Sequence, residues 1–92
     1  MNAFPPLRLD LFRDADKFLK DLQSKPYKQI LSKILDMTRD PESHDNSKLQ
    51  GHPFCRVDSG EFSIIYRYDT DFLYIVRVGK HNDDEVYRNL PV

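Results

Sequence analysis

The chain has 92 residues, 39% of them hydrophobic and 32% charged, with 14 Lys+Arg against 15 Asp+Glu and one cysteine. That composition suits one folded domain spanning residues 1–92 and excludes a disordered chain, a membrane-spanning helix, an internal disulfide and a cysteine-rich zinc site. The charge is spread flat, with nine basic and eight acidic groups in residues 1–51 and five and seven in residues 52–92. Bulk electrostatics therefore argues against indiscriminate nucleic-acid binding and leaves room for a local cationic site. The start of the chain lacks the basic and apolar stretches of a signal peptide, so a cytoplasmic protein is expected.

Leu7-Arg8-Leu9-Asp10-Leu11 alternates apolar and polar residues, which predicts a half-buried strand. Asp14 is a candidate cap for a short helix to Leu22, with Ala15, Phe18, Leu19 and Leu22 on one stripe. Ser24-Lys25-Pro26 restarts the chain as a capping serine with proline in the first turn. Tyr27, Ile30, Leu31, Ile34 and Leu35 then follow helical spacing, predicting a helix over Tyr27–Met37 and, with its predecessor, a helical hairpin. Thr38 to Pro53 is polar, contains Pro41, Gly51 and Pro53, and is expected to be a long connection.

Three strands are predicted next: Phe54–Val57, Phe62–Tyr68 and Phe72–Val78. The last is apolar on both faces, as a covered central strand would be. Ser59-Gly60-Glu61 and Asp69-Thr70-Asp71 supply the hairpin turns. Asn82, with Glu85 three residues on, is a candidate cap for a short C-terminal helix carrying Val86, Tyr87 and Leu90. The expected fold is α+β: a small antiparallel sheet of about four strands, the helical hairpin on one face, and the short helix at the end. The expected core is Ile30, Leu31, Ile34, Leu35, Ile64, Tyr66, Tyr74 and Val76.

In this order, four words resemble the RelE/ParE superfamily of toxins from bacterial type II toxin–antitoxin pairs. They are the helix Tyr27–Leu35, Ser47-Lys48-Leu49-Gln50-Gly51, the hairpin Cys55-Arg56-Val57-Asp58-Ser59-Gly60-Glu61-Phe62-Ser63-Ile64-Ile65-Tyr66, and the C-terminal Val78-Gly79-Lys80-His81 with Val86-Tyr87. The resemblance covers roughly Leu7 to Leu90 and implies a RelE/ParE-like fold. Some members of the superfamily cut mRNA on the ribosome; others poison DNA gyrase.

Metal-free RNA cleavage turns the substrate's own 2′-hydroxyl into the nucleophile. A base takes its proton, cations stabilise the charged phosphorane, and an acid protonates the leaving 5′-oxygen. The resemblance maps Arg56 onto a basic position of the RNA-cutting members, His81 onto their Arg/His position and Tyr87 onto their tyrosine. Those three are the candidate catalytic residues, with Lys48, Arg67 and Lys80 as candidate RNA contacts. Two positions depart from the pattern: Asp58 stands where relatives carry a basic side chain, and Ser63 replaces an arginine. Each candidate has a plainer alternative. His81 titrates near neutral pH but equally suits an exposed residue before a helix. Tyr87 suits base stacking or packing. Arg56 suits a phosphate contact or an ion pair with Asp58. Lys48 and Lys80 suit solvation, and Cys55 suits a packed filler.

The histidines His44, His52 and His81 lack metal-site spacing, so neither a metal nor another cofactor is expected. Three functions stay open from the residues: a ribosome-dependent mRNA endoribonuclease, a ParE-like gyrase inhibitor, and a catalytically inactive antitoxin-binding module. The resemblance implies a cognate antitoxin as partner, joined by ribosome and mRNA in the first case. No membrane partner is expected.

Overall fold

In chain order the elements are β1 (Arg8–Leu11), α1 (Arg13–Lys20), α2 (Ser24–Arg39), β2 (Asn46–Lys48), β3 (Cys55–Ser59), β4 (Phe62–Tyr68) and β5 (Phe72–Lys80). The computed structural model describes residues 6–41, 46–48 and 53–80, with the backbone alone for 46–48. The C-terminal helix expected after Asn82 lies outside the described residues.

Both helices start without the predicted side-chain caps. Phe12 occupies the cap of α1, and its carbonyl accepts the Asp16 amide at 2.9 Å. Asp14 and Asp16 sit in the first turn and Lys17 and Lys20 in the last, matching the helix dipole. Gln23 occupies the cap of α2, so Ser24 is already helical, and Pro26 falls in the first turn, where its missing amide costs nothing.

Among the described residues the sheet has five strands, in the order β1-β5-β4-β3-β2. β3, β4 and β5 form the expected antiparallel meander. Two features differ from expectation. β1 pairs with β5 in parallel, because the helical hairpin carries the chain across the sheet before the meander begins. The sheet is therefore mixed. The polar segment after Thr38 also contributes a strand, since Asn46–Lys48 pairs with Val57–Cys55 at the sheet edge. Such a short polar edge strand carries little hydrophobic signal of its own.

Gly60 turns the β3–β4 hairpin at φ +60°, a conformation that side chains disfavour. At the other hairpin, Asp69 Oδ1 accepts the amides of Asp71 and Phe72 at 2.8 and 2.7 Å. The turn is closed by the carboxylate rather than by glycine.

α1 and α2 both pack on one sheet face. Ala15, Leu19, Ile30, Ile34 and Met37 meet Val57, Phe62, Ile64, Tyr66, Leu73, Ile75 and Val78. Three predicted core residues depart from this. Leu35 is 50% exposed, and Leu31 is only half-buried. The sheet takes the Ile30–Ile34–Met37 side of α2 and leaves Tyr27, Leu31 and Leu35, spaced i, i+4, i+8, along the margin. Tyr74 is half-buried on the opposite face.

A bulge between Ile65 and Tyr66 in the β4–β5 register leaves Val76 without a partner. Val76 then packs with Phe54, Ile65 and Phe12 in a second apolar cluster, on the face away from the helices. β5 is thus buried on both sides, as its unbroken apolar run implied.

Candidate functional site

Alternation along the strands builds the face away from α1 and α2 in rows. Asp58, Ser63 and Gly79 form one row, Arg56, Ile65 and Arg77 the next, and Arg67 with Tyr74 the third. Neighbouring rows are about 7 Å apart along a strand.

The first row joins the two positions that depart from the RNA-cutting pattern. Ser63 is fully buried, and its hydroxyl donates to Asp58 Oδ1 at 2.8 Å. The same carboxylate oxygen lies 3.7 Å from Arg56 Nε. Serine and aspartate are therefore one directly paired unit, and Asp58 orients the neighbouring arginine. Both members of the Arg56–Asp58 pair are about one-third exposed, so water screens the attraction and its contribution to stability is small.

Arg77 sits on the other flank of Ile65 and donates to Asp14 Oδ2, at the start of α1, at 3.1 Å. Its side chain is 16% exposed. Sequence reasoning did not single it out. The available signal was a cation inside an otherwise apolar central strand, which is costly unless paired.

In the third row the Arg67 guanidinium lies 4.2 Å from the centre of the Tyr74 ring, a cation–π contact. Tyr74 stacks on Phe72 at 5.6 Å and meets Phe12 edge-on at 6.2 Å. Its hydroxyl donates to Asp69 Oδ2 at 3.1 Å. The Phe72 and Asp71 amides hold the Asp69 carboxyl below its ordinary value. Desolvation, helped by the bond to Asp69, pushes the Tyr74 hydroxyl up.

Arg56 and Arg67 therefore share the face away from α1 and α2. Lys80 does not join them: it pairs with Phe62 and lines a cleft on the helix side with Phe18, Leu22 and Pro26. The Lys48 backbone pairs with Cys55, next to Arg56. His81 and Tyr87 lie outside the described residues. Among the described residues no group of three or more His, Cys, Asp or Glu could hold a metal ion, and no helix is long and apolar enough to cross a membrane.

Residues 9–85 match the family model of the ParE toxin of the type II toxin–antitoxin system, parDE. The chain belongs to this family. It is a toxin of a type II toxin–antitoxin system, as the hairpin and Val-Gly-Lys-His words implied.

Solved structures share the toxin's fold. A mutant of the E. coli toxin RelE in the free state matches with TM-score 0.75 and 24% identity, over 94% of this chain and 95% of that one. The isolated E. coli RelE toxin matches with TM-score 0.71 and 26% identity, over 88% and 90%. The archaeal RelE–RelB complex from Pyrococcus horikoshii matches with TM-score 0.71 and 20% identity, over 85% and 98%. No curated protein matches the chain.

Proposed function

We propose that this toxin is a metal-independent endoribonuclease that cuts mRNA on the ribosome and holds the RNA across the face of its sheet away from α1 and α2. The observation that carries the proposal is the placement of Arg56 and Arg67 in adjacent rows of that face, with Arg77 beside them. Arginines so aligned suit a chain of phosphates, because each presents a planar fork of donors.

In this reading Arg56 stabilises the negative charge that develops on the phosphorane as the 2′-hydroxyl attacks. His81, through its imidazole, moves the proton to or from the reacting oxygens. Tyr87 orients the substrate by stacking. Lys48 and Arg67 contact RNA outside the reacting phosphate, while Lys80, on the helix side of the sheet, does not. Its partner is a cognate antitoxin, and RelE of the same fold in complex with RelB supports this.

A second reading, ParE-like inhibition of gyrase by binding alone, is favoured by the carboxylate of Asp58 beside Arg56 and by buried Ser63 in place of a cation.

Induced expression with transcript-end mapping separates the two. Cuts inside translated codons are expected, and His81→Ala should abolish both cuts and growth arrest while antitoxin binding persists. DNA breaks with an SOS response and intact transcripts would select gyrase. Full toxicity of a His81→Ala, Tyr87→Phe double variant would remove the catalytic assignment.

A further inference from the structure

We infer that Arg67, Tyr74 and Phe72 form a base-stacking platform for single-stranded RNA, one row beyond Arg56 on the same face; this rests on the RNA reading above. Three observations converge on it. The Arg67 guanidinium already lies against the Tyr74 ring, 4.2 Å from its centre, and Arg67 is exposed. A guanidinium plane held on an aromatic ring is a surface on which a further flat group stacks, and splayed bases use aromatic and arginine planes alike. Phe72 lengthens the stack, its ring 5.6 Å from that of Tyr74 and inclined to it by 26°. Arg8 stands opposite Phe72 on β1, so a cation flanks the platform at either end.

The acidic groups nearby fit the same arrangement. Asp10 pairs with Tyr74 across β1–β5, and Asp69 holds the Tyr74 hydroxyl. Carboxylates beside the ring repel phosphate and leave the base as the part of the nucleotide that approaches it. Asp69 already accepts two turn amides and the tyrosine hydroxyl, which holds the ring still. A rigid ring loses little entropy when a base stacks on it. An RNA strand anchored by phosphate near Arg56 would thus place a neighbouring base on the Arg67–Tyr74 stack.

The test titrates the full chain into a fluorescein-labelled decamer of 2′-O-methyl riboadenosine, which lacks the hydroxyl that cleavage needs, at low salt with an anisotropy readout. Tyr74→Leu and Arg67→Gln should each weaken binding about tenfold, the loss expected for one stacked base. Tyr74→Phe, which keeps the ring, should recover most of it. Arg67 is exposed, so Arg67→Gln carries the test even if Tyr74→Leu misfolds. The urea unfolding midpoint of each variant is the control for stability: binding losses that merely follow losses of folded protein overturn the platform. So does a wild-type chain that does not bind the decamer. Binding that falls in Arg56→Ala but not in Tyr74→Leu or Arg67→Gln overturns the platform and leaves the endoribonuclease standing. Platform-dependent binding without transcript cuts in cells supports the platform and removes the nuclease.

Discussion

On the face that carries α1 and α2, β4 contributes Phe62, Ile64 and Tyr66, and all three are buried. On the other face the same strand contributes Ser63, Ile65 and Arg67: a buried hydroxyl, a buried isoleucine and an exposed cation. One strand thus serves two different surfaces. The helix side is held by apolar contact spread over many residues, and loss of any one leaves a cavity. The other side combines a small apolar cluster of Phe12, Phe54, Ile65 and Val76 with individual bonds, Ser63 to Asp58, Arg77 to Asp14 and Tyr74 to Asp69. A surface built from separable polar contacts can change its chemistry residue by residue without disturbing the core. That accommodates a buried serine at position 63, paired with Asp58.

The comparison can be broken most directly on the helix side. Ile64→Ala should cost about 3 kcal/mol in urea unfolding, because Ile64 is fully buried between helices and sheet. A loss below 1 kcal/mol would mean that the two faces do not differ as described.

On the other side the larger effect should fall on function. Under the endoribonuclease proposal, Arg56→Ala should slow transcript cutting about a hundredfold. Its unfolding midpoint in urea should move little, because the Arg56–Asp58 pair is solvent-screened. A stability loss equal to that of Ile64→Ala would assign Arg56 to structure.

Ser63→Ala should cost about 1 kcal/mol by removing one donor to Asp58 while leaving no cavity of consequence. The paired variant Ser63→Ala, Asp58→Ala should be less destabilised than the sum of the two single variants, and a double-mutant cycle measures the coupling.

The smallest effect is the acid dependence of the β4–β5 turn. Asp69 titrates below its ordinary value of 3.8 in the folded chain, so the unfolded chain binds its proton first as pH falls. Its contribution is therefore present above pH 4 and is lost as pH drops through the lowered native value. Melting temperatures of the wild type and Asp69→Asn should differ near neutral pH and converge in acid. A gap that stays constant down to pH 2 would show that the carboxylate charge is not what closes the turn.

Local pattern determined the types of the helices and of the long strands, though not the edge strand β2. The helical spacing of Tyr27 to Leu35, the β-branched and aromatic runs of Phe62–Tyr68 and Phe72–Val78, and the turn residues Gly60 and Asp69 are short-range signals, and each element formed where they lie. The family also followed from the chain's words in order. The tertiary structure decided what depends on residues distant in sequence. Only packing chose the Ile30–Ile34–Met37 side of α2 over Leu35, since both sides are apolar and one sheet cannot cover both. Only the crossover set β1 parallel to β5. Only the register joined Ser63 to Asp58, and only alternation separated Lys80, on the helix side, from Arg56 on the other. Periodicity says that a strand has two faces; which face meets the helices is set by the docking of elements far apart in the chain.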